Sequence, residues 1–222
     1  MPLKQYALIV AGGKGTRIPG AVPKQFLEIK GLPVLMHTVN AFFQYSADIT
    51  VIVVLPQEDI GTWNDLCAKH GYDKPIIIQA GGDTRYQSVK RGLGRIEGNG
   101  LVAIHDGVRP LVDPLMIRRS FELAETNSCA VAAVPLKESV RLVGPESTRA
   151  LDRKQYRLIQ TPQTFHADLI RKAYEGEDDA TLTDDASVAE RAGHQIHLFD
   201  GSYENIKITT PEDLILVSAI ME

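Results

Sequence analysis

Residues 7–17 read Ala7-Leu8-Ile9-Val10-Ala11-Gly12-Gly13-Lys14-Gly15-Thr16-Arg17, and Pro23-Lys24-Gln25 follows a few residues later. An unbroken apolar run without polar alternation describes a strand covered on both faces, as in a parallel sheet. The run empties into a loop of glycines carrying two cations. Lacking Cβ atoms, such a loop lets backbone N–H groups approach phosphates closely, while Lys and Arg neutralise the remaining charge. The spacing matches neither the GxxxxGK[ST] of a P-loop nor the GxGxxG of a dinucleotide fold, because Ile18 stands where the third glycine of the latter belongs. A triphosphate suits this loop better than a hydride-carrying cofactor does.

Working outward, short β-branched runs alternate with helical patterns over the first 135 residues, which predicts an α/β fold with a mostly parallel sheet and helices on both faces. Strands are expected at 6–10, 49–55, 75–79, 101–105 and 130–134. Helices are expected at 34–43, 58–70, 85–96 and 113–125, the last with Asp113 as N-cap and Pro114 at the first helical position. From about 136 to 160 the pattern turns polar, with Gly144-Pro145 in its middle, and predicts a hairpin leaving the main sheet. A hairpin that small cannot bury itself, so it is expected to protrude as a β-arm onto a second copy of the chain. Helices at 167–174 and 184–192, strands at 196–199 and 205–208, and a closing helix from 211 complete the expectation of one domain over 1–222.

The bulk numbers agree with that organisation. A chain of 222 residues with 44% apolar side chains can close one sizeable core. Its 24 Lys+Arg against 28 Asp+Glu, with no block of like charge, exclude the electrostatic footprint of a nucleic-acid binder. Cys67 and Cys129, 62 residues apart and outside any CxxC or Cys/His cluster, predict reduced thiols. No apolar stretch approaches the roughly 18–20 residues of a membrane span, so the expectation is a cytoplasmic protein.

Three further segments carry chemistry. Ala80-Gly81-Gly82-Asp83-Thr84-Arg85, with Ser88 on the helix that follows, could read the edge of a pyrimidine through backbone groups and the Ser88 hydroxyl; equally, Asp83 or Thr84 could simply cap the helix. In Ile104-His105-Asp106-Gly107-Val108-Arg109-Pro110 a strand ends on an acidic residue, where α/β sheets bind ligands. Asp106 is therefore a candidate for substrate hydroxyls or a magnesium ion, or else a plain partner for Arg109. His105 reads as a satisfied buried histidine rather than a base. In the segment 204–214, Lys207 sits in a short apolar strand, where a lysine is costly unless an anion meets it or its head reaches solvent.

Together these segments resemble the methylerythritol phosphate cytidylyltransferase family over essentially the whole chain. The matching stretches are AGGKGTR with PKQ, GGDTRYQSV, HDGVRP, the pair Asp152-Arg153, QTPQTF at 160–165, TDDAS at 183–187 and ENIKITTPEDL at 204–214. The resemblance implies a Rossmann-like nucleotidyltransferase fold, Mg²⁺ dependence, a homodimer made through the arm, and transfer of CMP from CTP to a sugar-alcohol phosphate in isoprenoid precursor synthesis. It implies that Arg17, Lys24 and Lys207 stabilise charge at the reacting phosphates. Arg153 would position the acceptor, with Ser139 and Arg109 beside it. Gly82, Asp83 and Ser88 would face the cytosine, and the loop containing Ala11, Gly12, Gly13 and Gly15 would wrap CTP. Gly12, Gly107-Val108 and Ser139 depart from the family pattern by exchanging one small residue for another. Ribitol 5-phosphate cytidylyltransferases share several of these segments, while Lys137-Glu138-Ser139-Val140 and Asp152-Arg153 resemble the methylerythritol enzymes.

Overall fold

The computed structural model describes residues 3–12, 22–179 and 181–221. β1 (Lys4–Val10) opens the chain, and a small antiparallel pair, β2 (Glu28–Ile29) and β3 (Leu32–Pro33), precedes α1 (Val34–Tyr45). Strand and helix then alternate through β4 (Thr50–Leu55), α2 (Asp59–His70), β5 (Ile76–Ala80), α3 (Arg85–Leu93), β6 (Gly100–Asp106), α4 (Pro114–Asn127) and β7 (Cys129–Pro135). The hairpin β8 (Val140–Val143) and β9 (Thr148–Leu151) follows, then β10 (Arg157–His166), α5 (Ala167–Ala173), α6 (Asp185–Arg191), β11 (Leu198–Asp200) and α7 (Pro211–Ile220).

Seven strands make one sheet in the order β11-β7-β10-β6-β1-β4-β5. β1 runs parallel to both β4 and β6, β4 parallel to β5, and β7 parallel to β11; β10 is antiparallel to its two neighbours. The two-residue period of β1 sends Ala7 and Ile9 into a core shared with Leu35, Phe42, Ile117 and Phe121, and Tyr6 and Leu8 into a second core with Val89, Phe165, Ile170 and Val188. Helices therefore cover both faces, as the continuous apolar strands predict. α3 comes especially close: a Cβ on Gly92 would lie 2.4 Å from Leu8 Cδ1 and 2.8 Å from Val54 Cγ2, so only glycine lets the helix rest on the sheet at this separation.

Helix starts follow local chemistry. The Asp113 carboxylate accepts from Leu115 N at 2.7 Å ahead of Pro114, and Thr210 with Asp213 forms a reciprocal capping box ahead of Pro211. Both beginnings were expected from the sequence.

Two expectations are corrected. The polar stretch assigned to the arm up to about 160 runs instead into β10, which begins at Arg157 and inserts between β6 and β7. Pro162 argues against a central strand, but its missing N–H falls where the pairing with β7 slips, between Ile159 and Gln163. Residues 205–208 are not a strand. That segment crosses the end of the sheet and makes one backbone bond to the loop after β6, from Ile208 N to Val108 O at 2.9 Å. The arm itself is as expected, a two-stranded hairpin whose turn closes with Gly144 N donating to Ser147 O at 2.8 Å.

Candidate active site

The carboxyl ends of β1, β4, β5 and β6 open onto a cleft of about 600 Å³, bordered by Ala11, Gly12, Lys24, Gly81, Gly82, Asp83, Arg85, Ser88, Arg91, Asp106 and Lys207. A second cleft of about 200 Å³ is bordered by Arg109, Thr161, Gln163 and Asp184. Arg85, Asp106 and Lys207 border both. The position is where a doubly wound sheet binds ligands, because the strand ends there leave a crevice between diverging loops.

Asp106 is the centre of charge. It is the last residue of β6, and its Oδ2 accepts from Arg109 Nε at 3.0 Å and lies 3.1 Å from Lys207 Nζ. Arg109 is nearly buried and also donates from Nη1 to Asn205 O at 2.8 Å, which ties the segment after β11 to the end of β6. Burial alone would raise the Asp106 pKa; Lys207, Arg109 and Arg85 outweigh it and hold the carboxyl well below the usual range. Asp106 is thus an anion at any working pH. The sequence left two roles open for it, and the structure contains the Arg109 pair together with a second cation facing the clefts. His105 is fully buried, edge-on to Phe42, with Nε2 3.2 Å from Arg109 O. Burial pushes its pKa down to about 4, so at neutral pH it is an uncharged core group, as expected, although its Nδ1 is buried without a hydrogen-bond partner among the described residues and the ring is not fully satisfied.

The turn after β5 is built to present backbone. Ser88 Oγ accepts from Gly82 N at 3.1 Å and Arg91 Nη1 donates to Gly81 O. A Cβ on Gly81 would sit 2.8 Å from Ser88 Oγ and would displace that hydroxyl from its place beside the turn. Thr84 is the helix cap, accepting from Gln87 N at 3.1 Å, whereas Asp83 is exposed beside the cleft. Ser88 therefore organises the glycine backbone while its side chain also borders the cleft. Lys24 is held on a short 3-10 turn whose next residue, Gln25, donates to Asp59 Oδ2 at 3.1 Å, while Phe26 stacks on Trp63.

Gly13, Gly15 and Arg17 lie outside the described residues. Ser139 and Arg153 are exposed on the arm and border neither cleft; Arg153 donates to Lys137 O. The structure therefore does not bring these two to the other candidates within one chain. Arg85, Arg91, Thr161, Asp185 and Asn205 were not singled out from the sequence, although all of them but Arg91 stand inside the stretches that carry the family resemblance. Among the described residues no group of three or more His, Cys, Asp or Glu converges as a metal cage, and no helix is long and apolar enough to cross a membrane. Asp106 has one oxygen committed to two cations, which leaves a single carboxylate oxygen to offer a metal.

Comparison with known proteins agrees with this architecture. The family model for 2-C-methyl-D-erythritol 4-phosphate cytidylyltransferase matches residues 5–222. Proteins of that name from Bacteroides thetaiotaomicron and Bacteroides fragilis are 45% and 46% identical to the chain, covering 99% and 97% of it and 100% and 98% of themselves. The crystal structure of 4-diphosphocytidyl-2C-methyl-D-erythritol synthase from Anaerococcus prevotii superposes with a TM-score of 0.84 at 28% identity, covering 99% of this chain and 98% of the other. With the family model spanning the clefts, the glycine turns and the arm alike, the chain belongs to the 2-C-methyl-D-erythritol 4-phosphate cytidylyltransferase family of nucleotidyltransferases.

Proposed function

We propose that the chain transfers CMP from CTP to 2-C-methyl-D-erythritol 4-phosphate, releasing pyrophosphate and the CDP-linked alcohol, as a cytoplasmic homodimer that uses Mg²⁺. The observation that carries this reading is the placement of Asp106, Lys207 and Arg85 on the shared border of two adjoining clefts. The larger, lined by glycine turns and Lys24, suits the nucleotide. The smaller, lined by Arg109 and Thr161, suits a compact phosphorylated polyol.

An oxygen of the acceptor phosphate attacks the α-phosphorus of CTP, the bond to the β-phosphate breaks, and pyrophosphate leaves with the electron pair. The second pKa of a phosphate monoester is near 6, so the nucleophile is already anionic and no base is needed. What the reaction requires is alignment, with cations where two anions are forced together. Lys24, Lys207 and Arg17 supply those cations. The Gly81-Gly82 backbone faces the cytosine end, held by Ser88. One carboxylate oxygen of Asp106, with phosphate oxygens completing the shell, fits the way Mg²⁺ is commonly bound, and the ion would neutralise charge on the triphosphate.

Leu142, Val143, Tyr156, Leu158 and Ile159 expose apolar surface on the arm and at its root, which supports pairing of two arms. With Ser139 and Arg153 away from their own chain's clefts, the arm would supply them to the acceptor site of the partner. The test is pyrophosphate release from purified protein with Mg²⁺ and CTP, comparing 2-C-methyl-D-erythritol 4-phosphate with ribitol 5-phosphate. Preference for the first is expected. Preference for the second would overturn the substrate, and activity with neither would overturn the reading.

A further inference from the structure

Arg85 begins α3 and Asp185 begins α6, a hundred residues later, and they meet in the interior. Arg85 Nη1 donates to Asp185 Oδ1 at 2.9 Å and Nη2 donates to Oδ2 at 2.6 Å. Asp185 is fully buried, and its Oδ1 also accepts from Tyr174 OH at 2.6 Å; Tyr174 in turn packs on Tyr86, ring centroids 4.6 Å apart. Burying a carboxylate is expensive, and an apolar trio of the same volume would often be as stable, so stability alone does not account for these charges.

The accessible end of the network points to a use. Arg85 keeps 31% of its side chain exposed and borders both clefts. A guanidinium has five N–H bonds in two-pronged sets. Asp185 occupies the prong formed by the two terminal nitrogens. The other, Nε–H with the second Nη2–H, has no acceptor among the described residues. A fork held rigid on one edge and open on the other matches two oxygens of a phosphate. Burial works against the charged guanidinium, but the Asp185 and Asp106 carboxylates more than offset it, so the group stays protonated.

We propose that Asp185, braced by Tyr174, holds Arg85 so that the open edge of its guanidinium grips phosphate oxygens where the two clefts meet. Arg85 is then a substrate-contacting residue and Asp185 a positioning residue. This rests on the phosphate-transfer reading above, so the wild type is assayed first and inorganic pyrophosphate binding is measured by calorimetry alongside turnover.

Arg85→Ala should lower kcat/KM on the order of a hundredfold, as for loss of one preorganised donor, and weaken pyrophosphate binding about tenfold. Guanidinium ion at a non-denaturing concentration should restore part of the activity. Arg85→Lys, which keeps charge but not the fork, should lose nearly as much as alanine. Asp185→Asn should lower kcat at least about tenfold; should that variant not fold, Tyr174→Phe, missing one hydrogen bond to the buried carboxylate, should lower kcat by a smaller factor while staying folded at the assay temperature, its melting temperature falling by roughly 3–12 °C. An inactive wild type would count against the function, not the fork. Pyrophosphate affinity equal in wild type and Arg85→Ala would overturn the fork, as would full activity in Arg85→Lys.

Discussion

Replacing Lys207 by methionine keeps the aliphatic stem and removes the charge, and the structure separates what this does to folding from what it does to turnover. Lys207 lies 3.1 Å from Asp106, but its side chain is 42% exposed, so the pair is screened by water and contributes at most about 1 kcal/mol to stability. Asp106 also keeps Arg109 at 3.0 Å, and its own N–H still donates to Thr161 Oγ1 at 3.1 Å. Turnover should respond differently. A cation fixed beside the reacting phosphates acts chiefly in the transition state, and losing one such group typically costs about 2.7–4 kcal/mol, a hundredfold or more in kcat. Arg109→Ala is the contrasting case. That guanidinium is nearly buried and serves both Asp106 and Asn205 O, so its loss leaves a buried carboxylate short of a partner and should cost about 3–5 kcal/mol of stability. The assay pairs urea unfolding with pyrophosphate release under saturating CTP and 2-C-methyl-D-erythritol 4-phosphate. Near-normal kcat in Lys207→Met would refute the reasoning, and so would a loss of unfolding free energy above about 2 kcal/mol, which would make Lys207 a structural partner of Asp106.

Other residues give independent checks. Ser88→Ala removes the hydroxyl that accepts from Gly82 N, and losing one such bond, worth about 1 kcal/mol, should raise the KM for CTP by roughly fivefold with little change in kcat; an unchanged KM would show that the glycine turn needs no such support. Gly92→Val should push α3 off β1 and β4 at a cost of about 1–3 kcal/mol, lowering the melting temperature by roughly 2–12 °C; a melting temperature within a degree of wild type would contradict the close packing. His105 has a folded pKa depressed to about 4 against roughly 6.5 when unfolded, so the unfolded chain binds more protons between those values. Its contribution, on the order of 3 kcal/mol, is complete above about pH 6.5 and is lost progressively as pH falls toward 4. An NMR titration placing the His105 midpoint near 6.5 would remove that account.

Much of the architecture was legible in the chain because it is written in short-range patterns. Unbroken apolar runs announced the strands at 6–10 and 101–105, since a strand buried on both faces cannot alternate polar and apolar residues. Asp113-Pro114 and Thr210-Pro211 announced helix starts, since a cap bonds only to N–H groups a few residues away. Asp106 was legible as a site residue from its place at a strand end. β10 was not, because Gln160, Thr161, Gln163 and Thr164 are polar yet buried, and nothing local distinguishes them from a surface loop until their neighbours on β6 and β7 are known. The same holds for Lys207 against Asp106 and Arg85 against Asp185. Each pair joins segments about a hundred residues apart, and a charged side chain in sequence looks solvated whether or not an opposite charge awaits it. Outside β10 and residues 205–208, sequence by itself determined the main helices and strands, their order and the loops that end at the clefts, because those depend on neighbours along the chain. Only the tertiary structure decided which charges meet and which stay open to a ligand, because a pairing energy exists only once the two partners share one dry, low-dielectric place.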